Sequence, residues 1–209
     1  YIVSFKNKDV IVETIISENK TELAIFTKKT RNIVKKDFYV VGNIRYLPIK
    51  LSSNLLSTGT LLLRKGIKPY WCKNDLLKEI QGYIYEYVDI PDTYRIIVSY
   101  YILLTYVYEN YSEIPYLRVI WDYGSWKSRL LKVVSSICYN SILTTWGTSQ
   151  SALFRTINKV KGTLMLDEAD FWYSWTESEI IKLLNNWYQK GFPLMKADWD
   201  NFDVNTYQV

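Results

Sequence analysis

The first 66 residues alternate between short apolar runs and turn-forming clusters. β-Branched and aromatic residues fill the runs, and clusters such as 17–20 and Gly42-Asn43 separate them. This pattern is typical of short strands joined by tight turns, and it predicts a small antiparallel sheet. The predicted strands are residues 1–5, 10–16, 23–26, 38–41 and 44–49.

In the rest of the chain, apolar residues recur at the longer spacing that is typical of helices. After a linker at 65–71, the 3.6-residue spacing of apolar positions predicts helices at 74–88 and 92–109. Strands and helices then alternate, which favours an α/β fold with a three-layer parallel sheet. The predicted strands are 116–120, 142–145 and 163–166, and the predicted helices are 130–137, 149–160 and 176–186.

The 209 residues have room for one full domain and a smaller one. We expect a small β-rich basic domain at 1–66, a linker with two helices at 67–113, and an α/β core at 114–209. The chain starts at Tyr1 and stops inside a strand-like segment, so we expect it to be a fragment whose core is truncated at its C-terminus.

Charge and composition limit the kinds of functional site and partner that the chain can have. The net charge is +5, and residues 1–70 carry 13 Lys and Arg against 5 Asp and Glu. The absence of histidine and the wide separation of Cys72 and Cys138 exclude zinc sites and histidine-based catalysis, and they fit a reducing cytoplasm. The longest apolar run, 96–108, is shorter than the ~20 residues that span a bilayer, so no membrane partner is expected.

Residues 121–128, Trp-Asp-Tyr-Gly-Ser-Trp-Lys-Ser, follow the spacing of a phosphate-binding loop. In the pattern G-x-x-x-x-G-K-[ST], the lysine reaches the terminal phosphates and the hydroxyl holds Mg²⁺. Lys127 and Ser128 fit, whereas tryptophan stands at both glycine positions. The predicted nucleotide-binding residues are Trp121, Asp122, Tyr123, Gly124, Ser125, Trp126, Lys127, Ser128 and Arg129.

A hydrophobic run that ends in paired acids, 162–170, supplies the second half of the predicted site. Asp167 is placed to hold Mg²⁺, and Glu168 to orient or deprotonate the attacking water. By itself the motif is equally consistent with an acidic cap after a core strand. Asp167 follows Lys127 by 40 positions, which leaves room for a helix, a strand and a second helix, and the two motifs together favour an ATPase.

These motifs, with Ser151–Arg155 and the segment 183–191, resemble the helicase-like P-loop ATPases carried by phages and mobile elements. The resemblance covers roughly residues 92–209. It implies an AAA+-like P-loop fold, ATP hydrolysis with Mg²⁺ during DNA replication, DNA as partner and a homo-oligomer in the full-length protein. Lys127 and Glu168 would be the catalytic residues, and Ser128 and Asp167 the magnesium ligands. The family's sensor strand and arginine finger cannot be assigned within 92–209.

The tryptophans depart from this family. The chain has 8 Trp and 8 Gly, whereas glycine is normally about 7% of residues. Trp121, Trp126, Trp146, Trp187 and Trp199 stand where loops, caps or turns favour glycine. We hypothesise that the gene reads UGA as glycine. The alternative is a genuinely Trp-rich pseudo-ATPase, a scaffold or nucleic-acid-binding module in which Trp126 fills the phosphate position.

Three further features support weaker functional hypotheses. Lys28, Lys29, Arg31, Lys35 and Lys36 could contact DNA phosphates, although a solvated hairpin is the preferred interpretation. Arg155 could face the nucleotide or a neighbouring subunit, or form a structural salt bridge. The tyrosines of the two predicted helices are interpreted as core and interface rather than a base-stacking platform; they are Tyr83, Tyr85, Tyr87, Tyr100, Tyr101, Tyr106 and Tyr108.

Overall fold

The computed structural model describes residues 1–120, 126–145, 147–167, 194–198 and 203–207, the last two ranges as backbone only. Its first sheet is antiparallel, with four strands in sequence order. The strands are β1 (Ser4–Lys6), β2 (Val10–Ser17), β3 (Lys20–Thr27) and β4 (Asn32–Lys36).

Alternation along β2 and β3 explains this sheet. Val12 pairs with Ile25, and both side chains are buried in one cluster with Val10 and Leu23. Because successive residues point to opposite faces, the alternate positions on each strand form this apolar face. Residues 4–36 therefore contain an antiparallel sheet, whereas the strands predicted at 38–41 and 44–49 pair with each other in a separate hairpin. β4 was not predicted as a strand, and all five of its residues are exposed.

A small hairpin covers the same face of the sheet. It consists of β5 (Tyr39–Val41) and β6 (Ile44–Tyr46), and Gly42 supplies the left-handed backbone of its turn with φ +58°. Tyr39 packs on the buried cluster, and Tyr46 stacks on Phe5 with 4.9 Å between ring centroids. The chain continues through α1 (Asn54–Ser57) and β7 (Leu61–Leu62).

Three helices form a second layer: α2 (Lys73–Tyr87), α3 (Asp92–Val107) and α4 (Trp126–Ile137). A single 3-10 turn, Tyr108–Asn110, follows α3. α2 and α3 pack on α4 through a shared apolar cluster. The helices predicted at 74–88 and 92–109 are confirmed to within about one turn. Buried members of the cluster include Ile84, Val98, Ile102, Leu130 and Val134.

The second sheet has the order β7-β8-β9, with β8 (Ser141–Thr145) at its centre and β9 (Leu164–Asp167) beside it. β8 and β9 are parallel, whereas β7 joins β8 antiparallel. Their connection is α5 (Gln150–Val160). Side chains alternate across the sheet: Leu143 and Met165 pack on the α4 side, and Ile142 packs with Val160 of α5 on the other.

The predicted fold class, a P-loop NTPase with a three-layer parallel sheet, is wrong. The described part of the chain contains a four-stranded antiparallel sheet, two small hairpins and this mixed three-stranded sheet. Residues 116–120, predicted as the strand before the loop, have no regular secondary structure. Leu117 and Val119 turn inward onto the α4 cluster, but their backbone joins no ladder, and an N-terminal strand fills one edge of β8 instead.

Two short strands lie further along the chain. β10 (Leu194–Asp198) and β11 (Asp203–Tyr207) pair antiparallel. The helix predicted at 176–186 lies outside the described residues. No helix among the residues that the structure describes has the length and apolarity to cross a bilayer.

Exposure divides the seven tyrosines of the two predicted helices into two groups. Tyr85 is 63% exposed and Tyr100 is 50% exposed, and Tyr87 and Tyr106 are also on the surface. The core therefore does not account for these four side chains. Tyr83, Tyr101 and Tyr108 are the partly buried members of the set.

Candidate functional site

The first turn of α4 holds the described part of the phosphate-loop motif. Trp126 begins the helix and is 43% exposed, and Arg129 is also exposed. Lys127 and Ser128 are half-buried. Residues 121–125, which include Trp121, Asp122, Tyr123, Gly124 and Ser125, lie outside the described residues, so the predicted curl of the loop stays a prediction.

The carboxyl end of β9 holds the predicted magnesium ligand. Asp167 is the last residue of the strand and is half-buried. Its partner across the parallel ladder is Thr145, the last residue of β8. The two strands therefore end side by side. Glu168, the predicted catalytic carboxylate, lies outside the described residues.

The start of α4 and the ends of β8 and β9 lie at the same edge. Only residues 138–140 separate the end of α4 from the start of β8, and α4 packs against both β8 and β9. The 12-residue helix is about 18 Å long and the five-residue strand about 16 Å, so α4 runs back along the full length of the sheet. We call this the carboxyl edge, formed by Lys127, Ser128, Thr144, Thr145 and Asp167.

The turn between α4 and β8 is tightly held, which fixes the direction of α4. Asn140 has a left-handed φ of +40°, and its side-chain amide donates to Ser4 Oγ at 3.0 Å. The amide of Thr163 donates to the carbonyl of Tyr139 at 2.9 Å. Gly162 lies directly against Asn140: a Cβ at Gly162 would stand 2.1 Å from the Asn140 carbonyl oxygen.

Hydroxyl groups at the end of β8 were missed by the sequence analysis. Thr144 and Thr148 share a hydrogen bond between their hydroxyls, and the Thr148 amide donates to the carbonyl of Thr145 at 3.1 Å. Ser149 then caps α5 by accepting from the Ala152 amide at 3.4 Å. Ligands of α/β proteins bind at the carboxyl ends of parallel strands, so the threonines that end β8 were the available signal.

The segment before the phosphate-loop motif lies beside β9. Leu117 and Val119 line a cavity of about 90 Å³ with Met165 and residues of α4. Tyr101 Oη donates to the Pro115 carbonyl at 3.1 Å and ties the segment to α3. Ligand pockets usually exceed roughly 300 Å³, so this apolar gap is too small for a nucleotide. The carboxyl edge remains the candidate site.

The donor set at the carboxyl edge suits Mg²⁺. No group of three or more Cys, Asp or Glu side chains that could hold a metal occurs within the described ranges. Mg²⁺ in nucleotide sites takes one or two protein oxygens and completes its shell with phosphates and water. The hydroxyl of Ser128 and the carboxylate of Asp167 match that smaller requirement.

Scans of the chain against protein-family models, curated proteins and solved structures find no match in any of the three sets. Function is therefore inferred from the residues at the carboxyl edge and from their chemistry.

Proposed function

We propose that the chain binds ATP with Mg²⁺ at the carboxyl edge and hydrolyses it, as a helicase-like ATPase that acts on DNA. The observation that carries the proposal is the meeting of two motifs at one edge: the first turn of α4, with Lys127 and Ser128, and the end of β9, with Asp167. We further propose a cytoplasmic protein that assembles as a homo-oligomer in its full-length form.

The start of α4 suits a phosphate. A helix N-terminus presents unpaired N–H groups and a partial positive charge, both of which attract anions. Lys127 adds a full positive charge within the same turn. Phosphate binding of this kind requires the helix start and its lysine rather than a fully parallel sheet, so the mixed sheet does not conflict with it.

The end of β9 supplies the oxygen ligands. Asp167 and Ser128 would hold Mg²⁺, which neutralises charge on the phosphates when it is bound. Thr145 adds a hydroxyl group beside Asp167, its partner in the parallel ladder. Glu168, the next residue, is the proposed group that orients the attacking water.

Lys127→Ala tests the phosphate contact. Binding of a fluorescent ATP analogue with Mg²⁺ should weaken by at least about tenfold, because a charge-assisted phosphate contact contributes roughly 1.5–3 kcal/mol. Lys132→Ala is the matched control, since Lys132 lies on the same helix and more than one turn away. Unchanged affinity in Lys127→Ala, or equal losses in both variants, would reject the assignment.

Glu168→Gln tests the hydrolytic step. The variant should keep ATP affinity within about twofold and lower the hydrolysis rate by at least about 100-fold, because a group that acts on water contributes to the rate and not to binding. Asp167→Asn should weaken Mg²⁺-dependent binding instead. Absence of ATP binding to the unmodified chain would favour the pseudo-ATPase, in which Trp126 fills the phosphate position.

A further inference from the structure

The exposed residues of the first sheet form a basic surface. Between residues 28 and 50 the chain has seven Lys and Arg against one acid, Asp37. They belong to the β3–β4 turn, to β4 and to the β5–β6 hairpin with its following segment. We call this surface the basic edge; its cations are Lys28, Lys29, Arg31, Lys35, Lys36, Arg45 and Lys50.

β4 is the outer strand of its sheet, and both of its faces are accessible. The strand order places β4 beside β3 alone, and every residue from Asn32 to Lys36 is exposed. Lys36 pairs with Leu23 and Lys35 with Ala24, so the two lysines lie on opposite faces. The strand therefore presents positive charge in two directions.

Internal ion pairs use only part of this charge. Lys35 pairs with Glu22 at 3.1 Å, and Lys20 reaches Asp37 at 3.2 Å. Lys29, Arg31 and Lys36 form no ion pair with any residue that the structure describes. Lys28 also forms no ion pair, but its Nζ donates to the Asn7 carbonyl at 2.9 Å. Three exposed cations without such a contact thus remain at the turn and on β4.

Exposed apolar side chains lie among these cations. Phe38 is 43% exposed, and the Arg45 guanidinium lies 4.0 Å from the centre of its ring. Val40 and Ile44 of the hairpin are 50% and 58% exposed. Lysine on an outer strand discourages aggregation, but this role does not require an aromatic ring and an arginine side by side. Aromatic rings and guanidinium planes are the groups on which unpaired bases stack.

We propose that the basic edge binds single-stranded DNA. Lys29, Arg31 and Lys36 contact backbone phosphates, and Phe38 with Arg45 stacks on a base. Charge complementarity favours the basic edge over the rest of the chain as the contact surface for a polyanion, because residues 71–209 carry 13 Lys and Arg against 16 acids. The assignment supplies a DNA-binding surface for the proposed function, but it requires neither nucleotide nor the carboxyl edge.

A labelled oligothymidine of 20 nucleotides, followed by fluorescence anisotropy without nucleotide, tests the proposal. The triple variant Lys29→Gln, Arg31→Gln, Lys36→Gln should lose at least about tenfold in affinity. Its log–log salt dependence should become shallower by about 2, since each contact with a single strand contributes about 0.7. A triple variant at exposed lysines elsewhere, Lys65→Gln, Lys78→Gln, Lys159→Gln, removes the same charge and should keep most of the affinity.

Equal losses in the two triple variants would overturn the proposal, because binding would then follow net charge alone. Absence of binding to the unmodified chain at 50 mM salt would overturn it as well. All six substituted side chains are exposed, and circular dichroism spectra that match the parent chain would confirm that the variants fold.

Phe38→Ala tests whether the basic edge binds single strands through base stacking or also binds duplexes. It should weaken binding of the oligothymidine by about tenfold, as stacking on one aromatic side chain contributes roughly 1–3 kcal/mol, and should leave duplex binding unchanged. Tighter binding of the duplex, or of an oligouridine, than of the oligothymidine would reject single-stranded DNA as the ligand. Lys127→Ala should bind the oligothymidine normally, so failure of ATP binding and failure of this surface are distinguishable.

Discussion

Arg64 Nη1 donates to Glu13 Oε2 at 2.9 Å, and this ion pair connects the two sheets. Arg64 follows β7, whereas Glu13 lies on β2. The same guanidinium lies over the rings of Tyr106 and Tyr139 at 5.1 and 4.9 Å. Its Nη1 also donates to Asn140 Oδ1 at 3.3 Å, in the turn that fixes the direction of α4. One side chain thus holds the first sheet, α3 and the α4–β8 turn together.

Glu13→Gln should lower the free energy of unfolding by about 2 kcal/mol, because it leaves the charge of Arg64 in a site that is only 22% exposed. The matched control is Glu79→Gln, which breaks the exposed pair between Lys68 and Glu79 and should cost less than about 0.5 kcal/mol. Urea denaturation measures both values. Equal costs would show that the Arg64 pair does not couple the sheets.

Gly162→Ala and Gly82→Ala should change stability in opposite directions. The new Cβ at 162 would meet the backbone of Asn140 at 2.1 Å, and such overpacking costs about 1–3 kcal/mol. Gly82 lies inside α2 with nothing within 4 Å of its added Cβ, so alanine there should add up to about 1 kcal/mol of helix propensity. Thermal melts of the two variants give the comparison. Stabilisation by Gly162→Ala would contradict the close packing of the turn.

The elements predicted correctly depend on local information. The 3.6-residue period of apolar residues predicts α2, α3 and α5, and a strand followed by acids predicts β9. Pairing partners are not local: Leu61 joins Ile142 across 81 positions, and nothing in the Leu-rich run around β7 specifies that partner. At residues 116–120 the error is the opposite one, because a strand was predicted where none forms. Leu117 and Val119 face inward as alternate residues of a strand would, but alternation reflects burial and not backbone hydrogen bonding.

The candidate site also divides into residues that local sequence predicts and residues whose position depends on strand pairing. Lys127, Ser128 and Asp167 were predicted as site residues because each belongs to a contiguous motif. Thr145 was missed because its place beside Asp167 depends on the parallel pairing of β8 with β9. The exposure of β4 on both faces could not be predicted for a related reason, since it follows from the position of the strand in the sheet.

The two cysteines should differ sharply in reactivity. Burial raises the pKa of the Cys138 thiol to about 12, whereas Cys72 is exposed at the start of α2. Because the thiolate is the reactive form, iodoacetamide at pH 8 should modify Cys72 within minutes and leave Cys138 intact. Mass spectrometry should find one label per folded chain and two after unfolding in urea. In Cys72→Ser, rapid labelling of the folded chain would contradict the buried position of Cys138.

The tryptophans supply the last prediction, and exposure gives its physical basis. Trp71 is 97% exposed and Trp126 is 43% exposed, although tryptophan is on average a highly buried residue. Glycine at these positions would expose no indole, and at 121 and 126 it would let the backbone approach a phosphate. We therefore expect UGA codons and glycine-containing peptides from the native protein at all eight positions.

We also expect the double variant Trp121→Gly, Trp126→Gly to bind ATP at least about tenfold more tightly than the chain with both indoles. Adding Lys127→Ala to the double variant should abolish this gain. Peptides that contain tryptophan at 121 and 126, or UGG codons there, would reject the recoding hypothesis and favour the pseudo-ATPase.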